Sequence, residues 1–243
     1  MSTPDLATID AVILAGGLGT RLKSVVPDQQ KVFAAVGEQP FVARIVAQLQ
    51  RAGVRRVIFA LGHLAEAALP WIARWRDESG LELIESIEAS PQGTGGALRL
   101  ALPLCESASI LVLNGDSFVD ADLPGFAAMH RQDARPISLC AVQVPDASRF
   151  GALELNEARR SVRAFHEKNP LATGPAWINA GIYLMQREVI EAIAADRPVS
   201  LEREVFPADT NGRLGAFCQH KPFIDIGTPE SFAAGASFFD KAP

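Results

Sequence analysis

The stretch ILAGGLGTRLKSVVPDQQK, Ile13 to Lys31, ends an apolar run with Gly16, Gly17 and Gly19 and then sets out Thr20, Arg21, Lys23 and Lys31. Glycines in that place let a backbone turn sharply or come close to a ligand. A nest of backbone N–H groups with a guanidinium fixed behind it can hold a triphosphate. The spacing is neither of the two common phosphate loops. A G-x-G-x-x-G motif needs glycine where Leu22 stands, and a G-x-x-x-x-G-K-[ST] count from Gly16 or Gly17 lands on Arg21 or Leu22. The glycines alone fit a plain strand-to-helix turn, and Thr20-Arg21 is what points to a ligand.

PQGTGGAL, Pro91 to Leu98, is a second glycine-rich turn that opens a helix. It reads equally as a helix start capped by Thr94 or as a ligand cradle in which Gly93, Thr94, Gly95 and Gly96 present N–H groups at a helix N-terminus. ILVLNGDSF ends an apolar run at Asn114-Gly115-Asp116, and PFIDIGTPE sets Asp225 between Ile224 and Ile226. Aspartate is a common turn former, but a carboxylate inside an apolar run is rarely buried unless it is paired or bound to metal. Asp116 and Asp225 are therefore read as a pair that holds Mg²⁺ beside phosphates. Asp122, ahead of Leu123-Pro124, reads as a helix cap, and Glu167-Lys168 as a solvated hairpin end. His63, His130, His166 and His220 show no metal spacing and no nucleophile partner.

These residues need a frame. Ala11–Leu14, Val54–Leu61, Leu81–Glu85 and Ile110–Leu113 are short apolar runs that predict buried strands. Phe41–Ala52, Leu64–Asp77 and Gly95–Leu102 carry helical spacing, and Gly53 ends the first of them. Strand–helix alternation predicts an α/β fold, a mostly parallel sheet with helices on both faces. Two glycine turns after strands of one such sheet fall on its carboxyl edge, where ligands bind in open α/β folds. Beyond Asp116 the rhythm changes. Ile137–Val144, Gly151–Asn156, Ser161–His166 and Ile178–Met185 predict strands with short connections, the middle two as a hairpin. Residues from Pro145 to about Pro175 are read as a small β-rich elaboration within a single domain spanning 1–243. A last helix starts with Thr228 as N-cap and Pro229 at the first helical position.

The 243-residue chain carries a net charge of −5, which excludes a general nucleic-acid binder and makes any anion site local. No run approaches the length of a membrane span. Three cysteines with no CxxC pair and no secretory leader pattern predict a reduced, cytoplasmic compartment. A homo-oligomer is left open.

Taken in order, LAGGLGTRL (Leu14–Leu22), Lys31, GTGGA (Gly93–Ala97), NGD (Asn114–Asp116), EK (Glu167–Lys168), NAGIY (Asn179–Tyr183) and DIGTP (Asp225–Pro229) resemble the sugar-1-phosphate nucleotidylyltransferases over nearly the whole chain. The wording GLGTRL, GTGGA and FIDIGTPE is most similar to the branch of D-glycero-D-manno-heptose 1-phosphate guanylyltransferases. The resemblance implies a Rossmann-like sheet, the nucleotide-diphospho-sugar transferase fold, with the β-rich elaboration binding sugar. It implies Mg²⁺-dependent joining of a nucleoside triphosphate to a sugar 1-phosphate, releasing pyrophosphate, for surface polysaccharide precursors. Arg21 would grip the β,γ-phosphates and Lys31 would reach the reacting phosphates, with Asp116 and Asp225 on Mg²⁺. The nucleotide would lie against Leu14, Ala15, Gly16, Gly17, Gly19, Thr20 and Gly93–Gly96. Asn114, Gly151, Glu167, Lys168 and Asn179 would face the sugar phosphate. The family's proline after the lysine is Val32 here.

Glu88 lies five residues before Gly93, where relatives contact the base. Guanine offers N1–H and N2–H₂ side by side, and one carboxylate can accept both. GTP is therefore the expected nucleotide, although Glu88 also reads as a solvent-facing residue and related uridylyltransferases carry a glutamate nearby. Two other classes compete: a glycosyltransferase using Asp120 and Asp122 as its metal motif, which leaves GGLGTR without a use, and a non-catalytic nucleotide-sugar binder, which predicts loss of Arg21, Lys31 or an aspartate.

Overall fold

The computed structural model describes residues 6–17, 19–22, 25–26, 30–156, 158, 160–166 and 174–241. The first half alternates strands and helices: β1 (Asp10–Ala15), the short pair β2 (Ala35–Val36) and β3 (Gln39–Pro40), α1 (Phe41–Arg51), β4 (Arg56–Leu61), α2 (Leu69–Ser79), β5 (Glu82–Ile87), α3 (Gly93–Ala101) and β6 (Ser109–Asn114). The second half runs β7 (Ser117–Val119), α4 (Leu123–Asp133), β8 (Ile137–Val144), β9 (Ala152–Asn156), β10 (Ser161–His166), β11 (Ala176–Gln186), α5 (Arg187–Glu191), α6 (Phe206–Ala208), β12 (Leu214–Gln219), β13 (Phe223–Asp225) and α7 (Pro229–Lys241).

Among the described residues, nine strands form one sheet in the order β5-β4-β1-β6-β11-β8-β12-β10-β9. The part that carries the glycine loops, β5-β4-β1-β6, is wholly parallel. β10 and β11 run against the other strands, so the second half is mixed. The predicted hairpin is β9–β10. It continues the main sheet, and its far end curls until Ala152 of β9 meets Ile178 of β11.

Both faces of the strands are covered, which is why they read as continuous apolar runs. Alternate residues sort cleanly. Ala11, Ile13, Phe59 and Leu113 join a core with α1, α2, α4 and α7, whereas Val12, Ile58 and Val112 join one with α3, α5 and α6. α1 buries Phe41, Val42, Ile45, Val46 and Leu49 on one side, as its spacing predicts. At about 25 cal/mol per Å² of apolar surface, five such side chains contribute several kcal/mol of hydrophobic stabilisation before entropy is counted.

The helix expected at Leu64–Asp77 is broken. Leu64 adopts a left-handed conformation, a 3₁₀ turn covers Ala65–Ala67, and α2 starts only at Leu69, where Pro70 lacks an N–H that a first turn does not need. α3 begins at Gly93, two residues before the expected start, which puts Thr94 inside the first turn and not at the cap. The other two cap expectations hold: Asp122 accepts from Gly125 N–H at 2.9 Å, and the Thr228 hydroxyl accepts from Ser231 N–H at 3.3 Å. Cys105, Cys140 and Cys218 are not joined in disulfides. Among the described residues no helix is long and apolar enough to cross a membrane.

Candidate functional site

The chain runs from β1 outward through β4 to β5, then returns to lay β6 on the other side of β1. At such a reversal, loops at the carboxyl ends of neighbouring strands diverge and leave a crevice. A cleft of about 330 Å³ lies there, bordered by Leu14, Ala15, Gly16 and Gly17 at the end of β1, Glu88, Pro91, Gly93, Thr94 and Ala97 after β5, and Asn114 and Asp116 after β6. Gln30, Lys31, Val32 and Glu202 complete its wall.

At one end Lys31 makes an ion pair with Asp116, through Nζ and Oδ2. Lys31 heads a 3₁₀ turn, Lys31–Phe33, whose Val32 and Phe33 are buried. Phe33 stacks on Trp75 with ring centroids 6.1 Å apart. Packing therefore holds the turn without the proline that the resemblance leads one to expect after Lys31. Asp116 follows β6, and Gly115 N–H donates to Leu14 carbonyl oxygen at 2.9 Å, tying its loop to the end of β1. The β7–β13 ladder sets Asp225 opposite Ser117, and Ile226 N–H donates to the Asp116 carbonyl oxygen at 2.9 Å. The two aspartates expected as a pair are thus brought together. Burial raises the Asp225 carboxyl above the ordinary aspartate value, and the Asp116 charge adds to the shift. Gly227 N–H, Lys31 and Arg149 oppose it.

Two adjoining carboxylates suit Mg²⁺, which keeps several waters and is commonly held by one or two carboxylates plus substrate phosphates. No cluster of three or more ligating side chains occurs among the described residues. Asp120 pairs with Arg51 at 2.9 Å and Asp122 caps α4, so both members of the competing D-A-D motif are otherwise engaged.

Across β1 and β4 from Asp116 sits Glu88. Its Oε2 accepts from Gln92 N–H at 3.0 Å, and Oε1 lies so close to the backbone that a Cβ on Gly16 or Gly62 would come within 2.9 Å or 2.6 Å of it. Part of the answer to what Gly16 lets approach is this carboxylate. Desolvation raises the Glu88 carboxyl above its usual range, with Gln92 N–H pulling the other way. Glu88 is a cleft residue, not the solvent-facing one that its flanking sequence equally allowed.

The second glycine turn differs from its expected form. Gly95 N–H donates to Val199 carbonyl oxygen at 2.8 Å, and Gly96 N–H leans on the same atom at 3.4 Å. These amides at the start of α3 are spent on the chain and do not form an open anion cradle. Gly93 and Thr94 border the cleft, but Gly95 and Gly96 do not. Gly93 has φ of 73°, and a Cβ there would meet the Val199 carbonyl oxygen at 2.5 Å. Gly93→Ala is expected to lower stability by more than the roughly 1–2 kcal/mol that a left-handed alanine alone costs, read as a lower melting temperature. Thr94 ties the same seam: its hydroxyl donates to Glu202 Oε2 and accepts from Leu201 N–H, both at 2.8 Å.

Beside Asp116, Asn114 Nδ2 donates to the buried Tyr183 hydroxyl at 3.3 Å, and Asn179 Nδ2 donates to the same oxygen at 2.9 Å. Gly181 N–H donates to Asn179 Oδ1 at 2.9 Å within an irregularity of β11, fixing the Asn179 side chain. Asn114 Oδ1 has no donor among the described residues. Gly151, at the start of β9, does not border the cleft. Nor does Gly19, or Arg21, which stands exposed on a 3₁₀ turn opened by Thr20. Glu167 and Lys168 lie outside the described residues. Gln30 and Glu202 line the cleft and Arg149 contacts Asp225, none of them marked by a motif. Glu202 sits in SLEREVF, a charge-rich stretch that reads as a solvated helix face, whereas Arg149 directly precedes the Phe150-Gly151 step of an expected sugar-facing segment.

A family model described as nucleotidyl transferase matches residues 10–241. The chain is 34% identical over 234 residues to mannose-1-phosphate guanylyltransferase of Mycobacterium tuberculosis, covering 94% of this chain and 64% of that protein. It therefore spans somewhat less than two thirds of such longer relatives. To D-glycero-alpha-D-manno-heptose 1-phosphate guanylyltransferase of Campylobacter jejuni it is 33% identical over 225 residues, covering 92% of this chain and 97% of that protein. The crystal structure of HddC from Yersinia pseudotuberculosis complexed with GMP-PN superposes with a TM-score of 0.84 at 32% identity, covering 95% of this chain and 99% of HddC. With a family match over nearly its whole length and a cleft that brings together most of the motifs, the chain belongs to the nucleotidyl transferase family.

Proposed function

We propose that this chain is a sugar-1-phosphate guanylyltransferase, joining GTP to a manno-configured heptose or hexose 1-phosphate with release of pyrophosphate. The observation that carries the reading is one cleft bordered by Lys31 and Asp116 at one end, with Asp225 next to Asp116, and by the Glu88 carboxylate at the other. β5 and β6 are three interstrand spacings apart, about 14 Å, and the Glu88 side chain reaches back as far as Gly16 at the end of β1, which leaves room between it and Asp116 for a base and its α-phosphate. An oxygen of the sugar phosphate attacks the α-phosphorus, and the bond from that phosphorus to the bridging oxygen breaks, the electron pair leaving with pyrophosphate. The attacking phosphate is already anionic, so no side-chain base is needed, and the cleft's task is in-line positioning and charge neutralisation. Lys31 lies where it can neutralise the reacting phosphates, and Arg21, exposed on its 3₁₀ turn rather than in the wall, meets the leaving end. Asp116 and Asp225 would hold Mg²⁺, which supplies further neutralisation of phosphate charge. Asn114, Asn179 and Gly151, with Glu167 and Lys168, serve the sugar phosphate.

The name and coverage of the Campylobacter protein support the heptose choice, the GMP-PN bound to Yersinia HddC supports a guanine nucleotide, and the mycobacterial name supports mannose. Residues 1–243 are taken as one catalytic domain, since β9 and β10 continue the main sheet, acting in the cytoplasm on precursors of surface polysaccharide. Pyrophosphate release, measured for GTP, UTP, dTTP, CTP and ATP against a panel of sugar 1-phosphates, tests the whole reading.

Glu88 gives the sharpest result within that matrix. A site built for guanine's paired donors leaves polar groups unmatched with any other base, so discrimination should be strong. Glu88→Gln swaps one acceptor for a donor that faces N–H groups, and the preference for GTP over UTP in kcat/KM is expected to fall by roughly 10-fold or more. An unchanged preference, or a wild type that favours UTP or dTTP, defeats the guanylyl assignment and leaves nucleotidyl transfer standing. Because only the ionised carboxylate accepts both donors, and its pKa is raised, KM for GTP should worsen on acidification at a higher pH than an ordinary glutamate would give.

A further inference from the structure

We infer that Arg149 is a binding residue for the phosphate of the sugar 1-phosphate, held ready by Asp225 and released to that phosphate when a divalent cation takes Asp225. The inference rests on the nucleotidyl-transfer reading above and names a residue that neither the motifs nor the resemblance assigns.

Arg149 Nη2 lies 3.5 Å from Asp225 Oδ1 and donates to the Thr228 hydroxyl at 3.2 Å. The first contact is long for a charge-assisted hydrogen bond, which ordinarily closes to about 2.7–2.9 Å. About half of the Arg149 side chain, 49%, is exposed, against 25% for Asp225. A guanidinium has five N–H donors, and these contacts occupy one nitrogen. Its planar fork is the geometry that matches a phosphate's oxygens. Position is fixed by the next residue: Phe150 packs edge-on against Phe223 of β13, ring centroids 5.6 Å apart, while the Arg149 guanidinium carbon stands 5.8 Å from the Phe150 ring centre. Gly151, expected at the sugar, follows directly.

Charge counting gives the direction of the exchange. Asp116 and Asp225 carry two negative charges and face Lys31 and Arg149, so the cluster is balanced. A divalent cation on the aspartates would leave both basic groups in excess beside incoming phosphates. Lys31 is placed for the nucleotide, because it borders the cleft with Glu88, whereas Arg149 stands on the Asp225 and Gly151 side. The remaining anion of the reaction is the sugar phosphate.

Arg149→Ala and Arg149→Lys test this in two measurements. Wild-type turnover with GTP and a sugar 1-phosphate first establishes the reaction. The alanine variant is then expected to raise KM for the sugar 1-phosphate by roughly 10-fold or more, leave KM for GTP within about twofold, and recover in part with lysine. Mn²⁺ binding without substrates, followed by its paramagnetic resonance signal, should be as tight as wild type or tighter in Arg149→Ala, because a competitor for Asp225 is gone. An unchanged KM for the sugar phosphate, an equal loss for both substrates, or weakened Mn²⁺ binding with a lowered melting temperature overturns the inference and makes Arg149 a support for Asp225. Wild-type protein without turnover on any pair overturns the reaction assignment, and this inference with it.

Discussion

Asp225→Asn will abolish pyrophosphate release and leave a protein at least as stable as the wild type at neutral pH. Asp116→Asn will abolish it too. The catalytic half of this expectation follows from their shared place. The β7–β13 ladder and the Ile226–Asp116 backbone bond bring the two carboxylates together, and on the proposed reading they hold a phosphate-borne divalent cation. Loss of the cation's neutralising charge removes several kcal/mol from transition-state stabilisation. The stability half follows from the sign of the Asp225 shift. A carboxyl whose folded pKa lies above its unfolded value contributes stability that is complete below the unfolded pKa, about 4, and is lost as pH rises through the folded value. Above that window the ionised side chain burdens the fold, and the neutral amide does not. Melting temperatures of wild type and Asp225→Asn, compared from pH 4 to pH 8, should therefore move apart in the variant's favour. Normal rates in either variant with Mg²⁺ as the sole metal would sink the metal assignment, and a variant that is both inactive and unstable would make Asp225 structural.

Lys31→Ala and Arg21→Ala are each expected to lower kcat/KM by roughly 10²-fold or more, the scale for losing one preorganised charge donor. The two differ in what else they do. Lys31 balances Asp116, so its removal leaves Asp116 and Asp225 facing each other with one cation fewer, and the melting temperature should fall as well. Arg21 is exposed on its turn, and its loss should leave the melting temperature unchanged. Steady-state kinetics beside thermal unfolding separates the cases. Unchanged kinetics with lost stability would return the opening loop to a plain turn.

Much of this was legible from residue order because the signals are local. Ile13, Phe59 and Leu113 alternate with Val12, Ile58 and Val112 between two covered faces, so strands appear as unbroken apolar runs. Asp116 and Asp225 stood out because charge inside such a run demands a partner. What depended on long-range contact was not legible. GTGGA reads as an N–H cradle until Val199, more than a hundred residues later, is seen to take those amides. Glu202 looks like one charge among several on a solvated stretch, and only Thr94 brings it to the cleft. Arg149 gave the opposite signal, a lone basic residue in a loop, because its partner Asp225 is 76 positions away. The broken helix at Leu64 shows the limit of spacing: periodicity registers apolar positions but not a left-handed residue that interrupts the turn between them.

The seam between Gly93–Gly96 and the Val199–Glu202 segment also bears on the order of events in folding. Thr94 and Leu201 are 107 positions apart, and the base-side wall of the cleft depends on their hydrogen bond and on the Val199 carbonyl. Contacts of such separation carry a large loop-closure cost, one that the β1–β6 pairing, with Ala11 opposite Leu111, also carries. The glycine-rich turn is synthesised early but stays an unfinished surface until the last third of the chain docks on it. On the proposed reading, nucleotide binding therefore requires the Val199–Glu202 segment to be in place, since without it Gly95 and Gly96 lose the Val199 carbonyl that holds the wall.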